Sequence, residues 1–143
     1  MDWEIYFMNL AEEIATRSTC LRKQVGCVIT RENYIVSTGY NGALPGMPEC
    51  LDIGCLRSEL GIQHGRDKHL CRAVHAEQNA IAAAARLGTS LKDTTCYVTL
   101  FPCITCTKNL VQAGINKLVT KECDNDLSKK LLEESGVYIT ILD

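Results

Sequence analysis

Three positions at tight spacing carry the clearest chemistry in this chain: His75, Glu77 two residues later, and the run Pro102-Cys103-Ile104-Thr105-Cys106. Cysteines at i and i+3 fall on one side of a first helical turn, near enough to share a metal ion. The free N–H groups of such a turn favour the thiolate that a metal needs, and proline at the first helical position costs no hydrogen bond. One imidazole and two thiolates make three protein ligands. A tetrahedral zinc held by them keeps its fourth position open, as in catalytic rather than structural sites. Zinc lowers the pKa of a water in that position to about 7, and Glu77 is placed to carry its protons. A structural zinc has no use for Glu77.

Nine cysteines in 143 residues is an odd set. Cys27, Cys96 and Cys123 read as small buried hydrophobes. Cys20, Cys50, Cys55 and Cys71 surround a long irregular stretch, and four thiolates would make a closed, structural zinc site that pins it. His64 or His69 could replace one of the four, and the alternative is that all are free thiols. The opening residues include Asp2 and Glu4 and lack the basic and apolar pattern of a secretory leader. Apolar stretches are far shorter than a membrane span. A reducing, cytoplasmic setting is therefore expected, where such cysteine spacings favour metal over disulfides.

These groups need elements to hold them. The length suits one domain over residues 1–143, and 46% hydrophobic residues allow a sizeable core. A net charge of −2 lacks the basic excess of a protein that tracks a long nucleic acid, but leaves room for a few cations around one small phosphate. Apolar spacing at Trp3, Phe7, Leu10, Ala11 and Ile14 predicts a helix over 3–18. Gly26–Ile29 and Tyr34–Val36 read as strands joined by a short polar turn. Residues 41–70, rich in Gly, Pro, Cys and charge, read as a long loop that is functional or pinned. Beyond it come a helix over 74–87 closed by Gly88, a strand over 95–100, and a helix from Pro102 to about Gln112 closed by Gly114. A strand over 117–120, a helix over 126–135 and a strand over 137–142 complete the order. Strands alternating with helices predict an α/β fold around a parallel or mixed sheet.

The order of H-x-E, helix, strand and P-C-x-x-C is a known signature of zinc deaminases. From about Phe7 to Val137 the chain resembles the cytidine and deoxycytidylate deaminase superfamily, and within it the deoxycytidylate deaminases. The pieces that carry the resemblance are Gln24-Val25-Gly26, Gly39-Tyr40-Asn41-Gly42, Cys71 through Ile81, and Tyr97 through Cys103. It implies a three-layer sandwich with a central five-stranded mixed sheet flanked by helices. It also implies one catalytic zinc on His75, Cys103 and Cys106, Glu77 as proton carrier, and conversion of dCMP to dUMP with loss of ammonia. A homo-oligomer, favoured as a hexamer, belongs to the same picture, as does possible regulation by dCTP and dTTP. Some relatives of this kind hold a second zinc partly through residues matching Cys20 and Cys50. Cys55 and Cys71 are this chain's own candidates for the remaining ligands.

Substrate contacts follow from the same resemblance. Asn41 is expected on a deoxyribose hydroxyl, although an Asn-Gly turn needs no function. Asn79 and Arg86 are candidates for the sugar-phosphate side, Arg86 alternatively being a solvated helix-end charge. Ala76 and the strand end at Thr99 and Phe101 are expected to read the base edge. Related enzymes often carry an aromatic residue where this chain has Glu122-Cys123-Asp124. Open alternatives are cytidine, a guanine-like base or transfer-RNA adenosine as substrate, or a zinc-stabilised binding module without turnover.

Overall fold

The computed structural model describes residues 1–142, with His69 described by its backbone alone. Helix α1 (Trp3–Ala15) leads to strands β1 (Gly26–Arg31) and β2 (Tyr34–Tyr40). The expected long loop contains short elements: β3 (Gly42–Ala43), α2 (Cys50–Ile53), α3 (Leu56–Glu59), a single 3₁₀ turn at Lys68–Leu70 and β4 (Ala73–Val74). Then follow α4 (Ala76–Leu87), β5 (Thr94–Val98), α5 (Ile104–Ala113), β6 (Ile115–Thr120), α6 (Asp126–Glu134) and β7 (Tyr138–Ile141).

The five main strands form one sheet in the order β2-β1-β5-β6-β7. Strand β1 runs antiparallel to both neighbours, whereas β5, β6 and β7 are mutually parallel. The sheet is therefore mixed, because the β1–β2 hairpin precedes two right-sized helical crossovers. β3 and β4 pair separately, Gly42 with Val74 and Ala43 with Ala73, and so close the base of the irregular segment.

Alternation along the strands divides the core. Val28, Tyr97 and Val119 face α1, packed with Phe7, Met8 and Ala11. Their neighbours Cys27, Ile29, Cys96, Val98 and Leu118 face the other way, onto Ala80 and Ala84 of α4, Leu110 of α5 and Leu132 of α6. This is the period of two expected of a sheet covered on both faces, and it makes three layers. Fully buried aliphatic side chains such as Leu110 and Leu118 each stabilise by about 1.5–3 kcal/mol. Cys27 and Cys96 are wholly buried here, as small hydrophobes, while Cys123 is only partly covered.

Two glycines let helices approach closely. A Cβ on Gly26 would strike the Ala11 carbonyl of α1, and one on Gly39 would strike Ala76 and Ala80 of α4. Gly39 therefore fixes how near the first turn of α4 lies to β2.

Candidate active site

Both chemistry-bearing helices start at a ligand. His75 is the N-cap of α4, and Cys103 is the N-cap of α5 with Cys106 on its first turn. Pro102 sits one residue before the cap, not at the first helical position as the sequence suggested. Helix α4 likewise begins at Ala76, after the Ala73–Val74 strand, instead of at Val74. Gln78 accepts the His75 N–H at 3.2 Å, and the Ser37 hydroxyl donates to the Ala80 carbonyl at 2.6 Å, so β2 pins the helix that carries the site.

His75, Cys103 and Cys106 bring their ligand atoms within 4.8 Å of one another, the one His/Cys/Asp/Glu group of three or more that does so among the described residues. His75 Nδ1 lies 3.3 Å from Cys106 Sγ and 3.7 Å from Cys103 Sγ. A tetrahedron with Zn–N and Zn–S bonds of ordinary length has N···S edges of about 3.5 Å, so the set fits zinc. The other ring nitrogen, Nε2, donates to the Lys68 carbonyl at 3.0 Å. A carbonyl can only accept, which fixes the tautomer and leaves Nδ1 free for a metal. This backbone contact has no sequence signal.

Electrostatics support the ligand role. The Cys103 thiol is lowered to about 3, first by its hydrogen bond with Cys106 and then, against burial, by His75. His75 is pushed up to about 10, first by Cys103 and next by Cys71 beside its ring. Cys106 is raised, by Cys103 and by burial. The set thus stores one thiolate and exchangeable protons, which a metal displaces on binding. Glu77, 5% exposed, has its carboxyl raised to about 7 by burial, an effect that His75 and Lys68 partly offset.

His75, Cys103, Ala76, Glu77, Asn41 and Phe101 line one cavity of about 310 Å³, at the small end of the ~300–1,000 Å³ common for ligand pockets. Other expected contacts lie elsewhere. Arg86 is exposed on the last turn of α4, about 15 Å along the helix from Ala76 at 1.5 Å per residue. Its place at the helix end fits a solvated charge complementing the dipole. Asn79 spends its amide on the Tyr40 carbonyl (2.6 Å) and the Val74 carbonyl (3.3 Å), tying β2 to β4. Thr99 accepts the Gly26 N–H at 3.1 Å and does not line the cavity. Asn41 lines it, yet its Oδ1 accepts from Val25 N–H (2.9 Å) and its Nδ2 donates to the Lys23 carbonyl (2.8 Å). One lone pair and one N–H remain for a ligand.

Cys20, Cys50, Cys55 and Cys71 all line the same cavity, but no three of these thiols approach within 4.8 Å. Burial raises Cys50, and Cys20 and Cys55 add to it. Cys55 is also raised by burial, but hydrogen bonds from Ser58, Arg22 and the Arg57 backbone outweigh this and bring it down to about 7. His64 lines the cavity too; the side chain of His69 lies outside the described residues. Cavity residues that the sequence reading did not single out include Arg22, Lys23, Arg57 and Lys68. Asp124 stands in the stretch noted for lacking an aromatic, so a carboxylate faces the cavity from that position.

A three-layer α/β/α fold with an N/S/S ligand set on two helix starts and a buried carboxyl in the same cavity has the donor set of a zinc site with an open fourth position. The chain belongs to the cytidine and deoxycytidylate deaminase family, whose zinc-binding region matches residues 1–122. The deoxycytidylate deaminase of Saccharomyces cerevisiae is 37% identical over 139 residues, covering 96% of this chain and 44% of the yeast protein. ComE operon protein 2 of Bacillus subtilis is 36% identical over 141 residues, covering 97% of this chain and 70% of the relative. Among solved structures, the dCMP deaminase of cyanophage S-TIM5, in complex with dCMP and dUMP, superposes with a TM-score of 0.81 at 27% identity, covering 99% of both chains. The chain thus spans less than half the length of the yeast relative.

Proposed function

We propose that this chain hydrolyses dCMP to dUMP, releasing ammonia. The observation that carries the reading is the buried Glu77 carboxyl in the same cavity as the His75, Cys103 and Cys106 set. Zinc held by these three residues supplies Lewis acidity, lowering the pKa of a water to about 7. Glu77, poised near neutrality by burial, accepts a proton from the attacking water and delivers it to N3 of the cytosine ring. It then passes a second proton to the amino group, which departs as ammonia. Ala76 and Phe101 line the cavity with Asn41, which keeps one N–H and one lone pair for the substrate. The relatives that act on dCMP support this substrate over cytidine, guanine-like bases or transfer-RNA adenosine.

Ammonia release across dCMP, CMP, deoxycytidine, cytidine, guanine and guanosine tests it. Strong preference for dCMP is expected; turnover confined to purines would overturn it. Repeating the assay with dCTP and dTTP tests the proposed allosteric control. A homo-oligomer, favoured as a hexamer, accords with Trp3, Leu51 and Leu60, each more than half exposed on the single chain. Among the described residues no helix is long and apolar enough to cross a membrane; action in the cytoplasm is part of the same proposal.

A second zinc on Cys20, Cys50, Cys55 and Cys71 is a separate reading. Four thiols on one cavity wall favour it, and binding would have to draw them together. Metal analysis of active protein giving two zinc ions per chain would support it, and one would exclude it.

A further inference from the structure

The ring of His75 is steered from outside the two helices that carry the ligands. Its Nε2–H donates to the Lys68 carbonyl at 3.0 Å, across seven residues. The same oxygen accepts the Cys71 N–H at 3.1 Å, so both lone pairs of that carbonyl are spent. Where it points depends on how the chain enters the turn. Asp67 stands at φ 47° and ψ 46°, in the left-handed region, and the 3₁₀ turn Lys68–Leu70 begins directly after it. Among the described residues Glu32, Asn33 and Asp93 share a positive φ without being glycine. Glu32 and Asn33 make the tight turn between β1 and β2, and Asp93 the turn into β5. Asp67 joins no strands; it leads to the carbonyl beside the metal ligands.

Left-handed backbone is strained for residues with a side chain, least for Asn and Asp, and such strain persists where the surroundings enforce it. Both flanks of Asp67 are tied. The Arg66 carbonyl accepts Arg57 Nη1 at 2.8 Å, and the Asp67 carbonyl accepts the Leu70 N–H at 2.9 Å. The Asp67 side chain is exposed and makes no capping hydrogen bond, so its contribution is its backbone conformation. We infer that Asp67 is a positioning residue: its left-handed backbone aims the Lys68 carbonyl at His75 Nε2 and so sets how firmly His75, Cys103 and Cys106 hold their metal. The inference rests on the zinc reading of this site, though not on which ring is deaminated. Cys103 and Cys106 are fixed by the start of α5, whereas an imidazole turns about two side-chain bonds until its outer nitrogen is held. Partners of that outer nitrogen are worth about 10–100-fold in metal affinity or activity.

A substitution series ordered by backbone preference tests it. Asp67→Gly and Asp67→Asn accept the left-handed region, whereas the β-branched Asp67→Val resists it. Zinc affinity is read by competition with a chromophoric chelator, and the His75 ring by spectra of the zinc-loaded protein carrying ¹⁵N-labelled histidine. The Gly and Asn variants should match wild type within about twofold, while Asp67→Val should bind zinc about tenfold or more weakly. Asp67→Val should also lose the His75 Nε2–H signal that the Lys68 carbonyl protects. Asp67→Ala, milder in the same direction, stands in should Asp67→Val not fold. Wild-type affinity and an unchanged His75 signal in Asp67→Val would overturn the inference. So would an Asp67→Gly or Asp67→Asn protein as weak as Asp67→Val, which would assign the effect to the carboxylate. Neither readout needs turnover. A wild type that holds zinc but deaminates no cytosine nucleotide would end the proposed function while the series still decides the role of Asp67; a wild type that takes up no zinc would overturn both.

Discussion

The two helix starts that carry His75 and Cys103 and the segment between β3 and β4 line one cavity and are held by different means. The helix starts rest on aliphatic burial: Ala76, Ala80, Ala84 and Leu110 pack into the sheet's larger core. Between residues 44 and 72 the buried residues described are Cys50 and Arg57, a thiol and a guanidinium. Leu44, Met47, Leu51, Ile53 and Leu60 point outward there, and both helices are four residues long. Isolated helices so short have no stability of their own. The first wall is held by hydrophobic packing and the second by polar ties. In the proposed function, reaction chemistry belongs to the helix starts.

The largest effect expected is on the first wall. Cys106→Ser removes a fully buried ligand and should abolish catalytic zinc and activity together, read by metal analysis beside the ammonia assay; zinc-loaded, active protein would break the assignment. Next in size, Leu110→Ala should cost about 2–5 kcal/mol of unfolding free energy, as core truncations do, whereas Leu60→Ala, on the second wall, should stay within about 0.5 kcal/mol. Equal losses in chemical denaturation would erase the contrast between the walls. Smallest is a tie at the foot of the second wall. Glu49 accepts from the Thr19 hydroxyl at 2.5 Å and the Ala43 N–H at 2.9 Å, and these bonds, Thr19's first, hold its carboxyl below the usual value. A depressed carboxyl stabilises above its ordinary pKa and loses that contribution as pH falls through the lowered one. Thr19→Val should therefore cost about 0.5–1 kcal/mol near neutrality and less in acid, read by hydrogen exchange at Ala43.

The same contrast explains what was legible in the sequence. Periodicity placed all the long helices and the five main strands, because their apolar faces pack on one sheet. The ligand triad and Glu77 were legible because their spacing is local to two helix starts. Boundaries slipped where caps decide them: α1 ends at Ala15, not residue 18, and Cys103 caps α5 where Pro102 was expected to open it. Asn79, Thr99 and Arg86 do not line the cavity, because a motif shows proximity in sequence but not which way a side chain is spent. Arg22 and Arg57 went unread because their burial depends on a segment with no period. The Lys68 carbonyl belongs to the backbone and leaves no trace in residue identity.

Glu77→Gln tests the central claim most directly, by zinc content and dCMP turnover measured on one preparation. Zinc should stay at the wild-type level while the rate falls by about 10²–10⁴-fold or more, the worth of general acid–base catalysis. Near-normal turnover with zinc in place would contradict the account, because the buried carboxyl would then carry no proton.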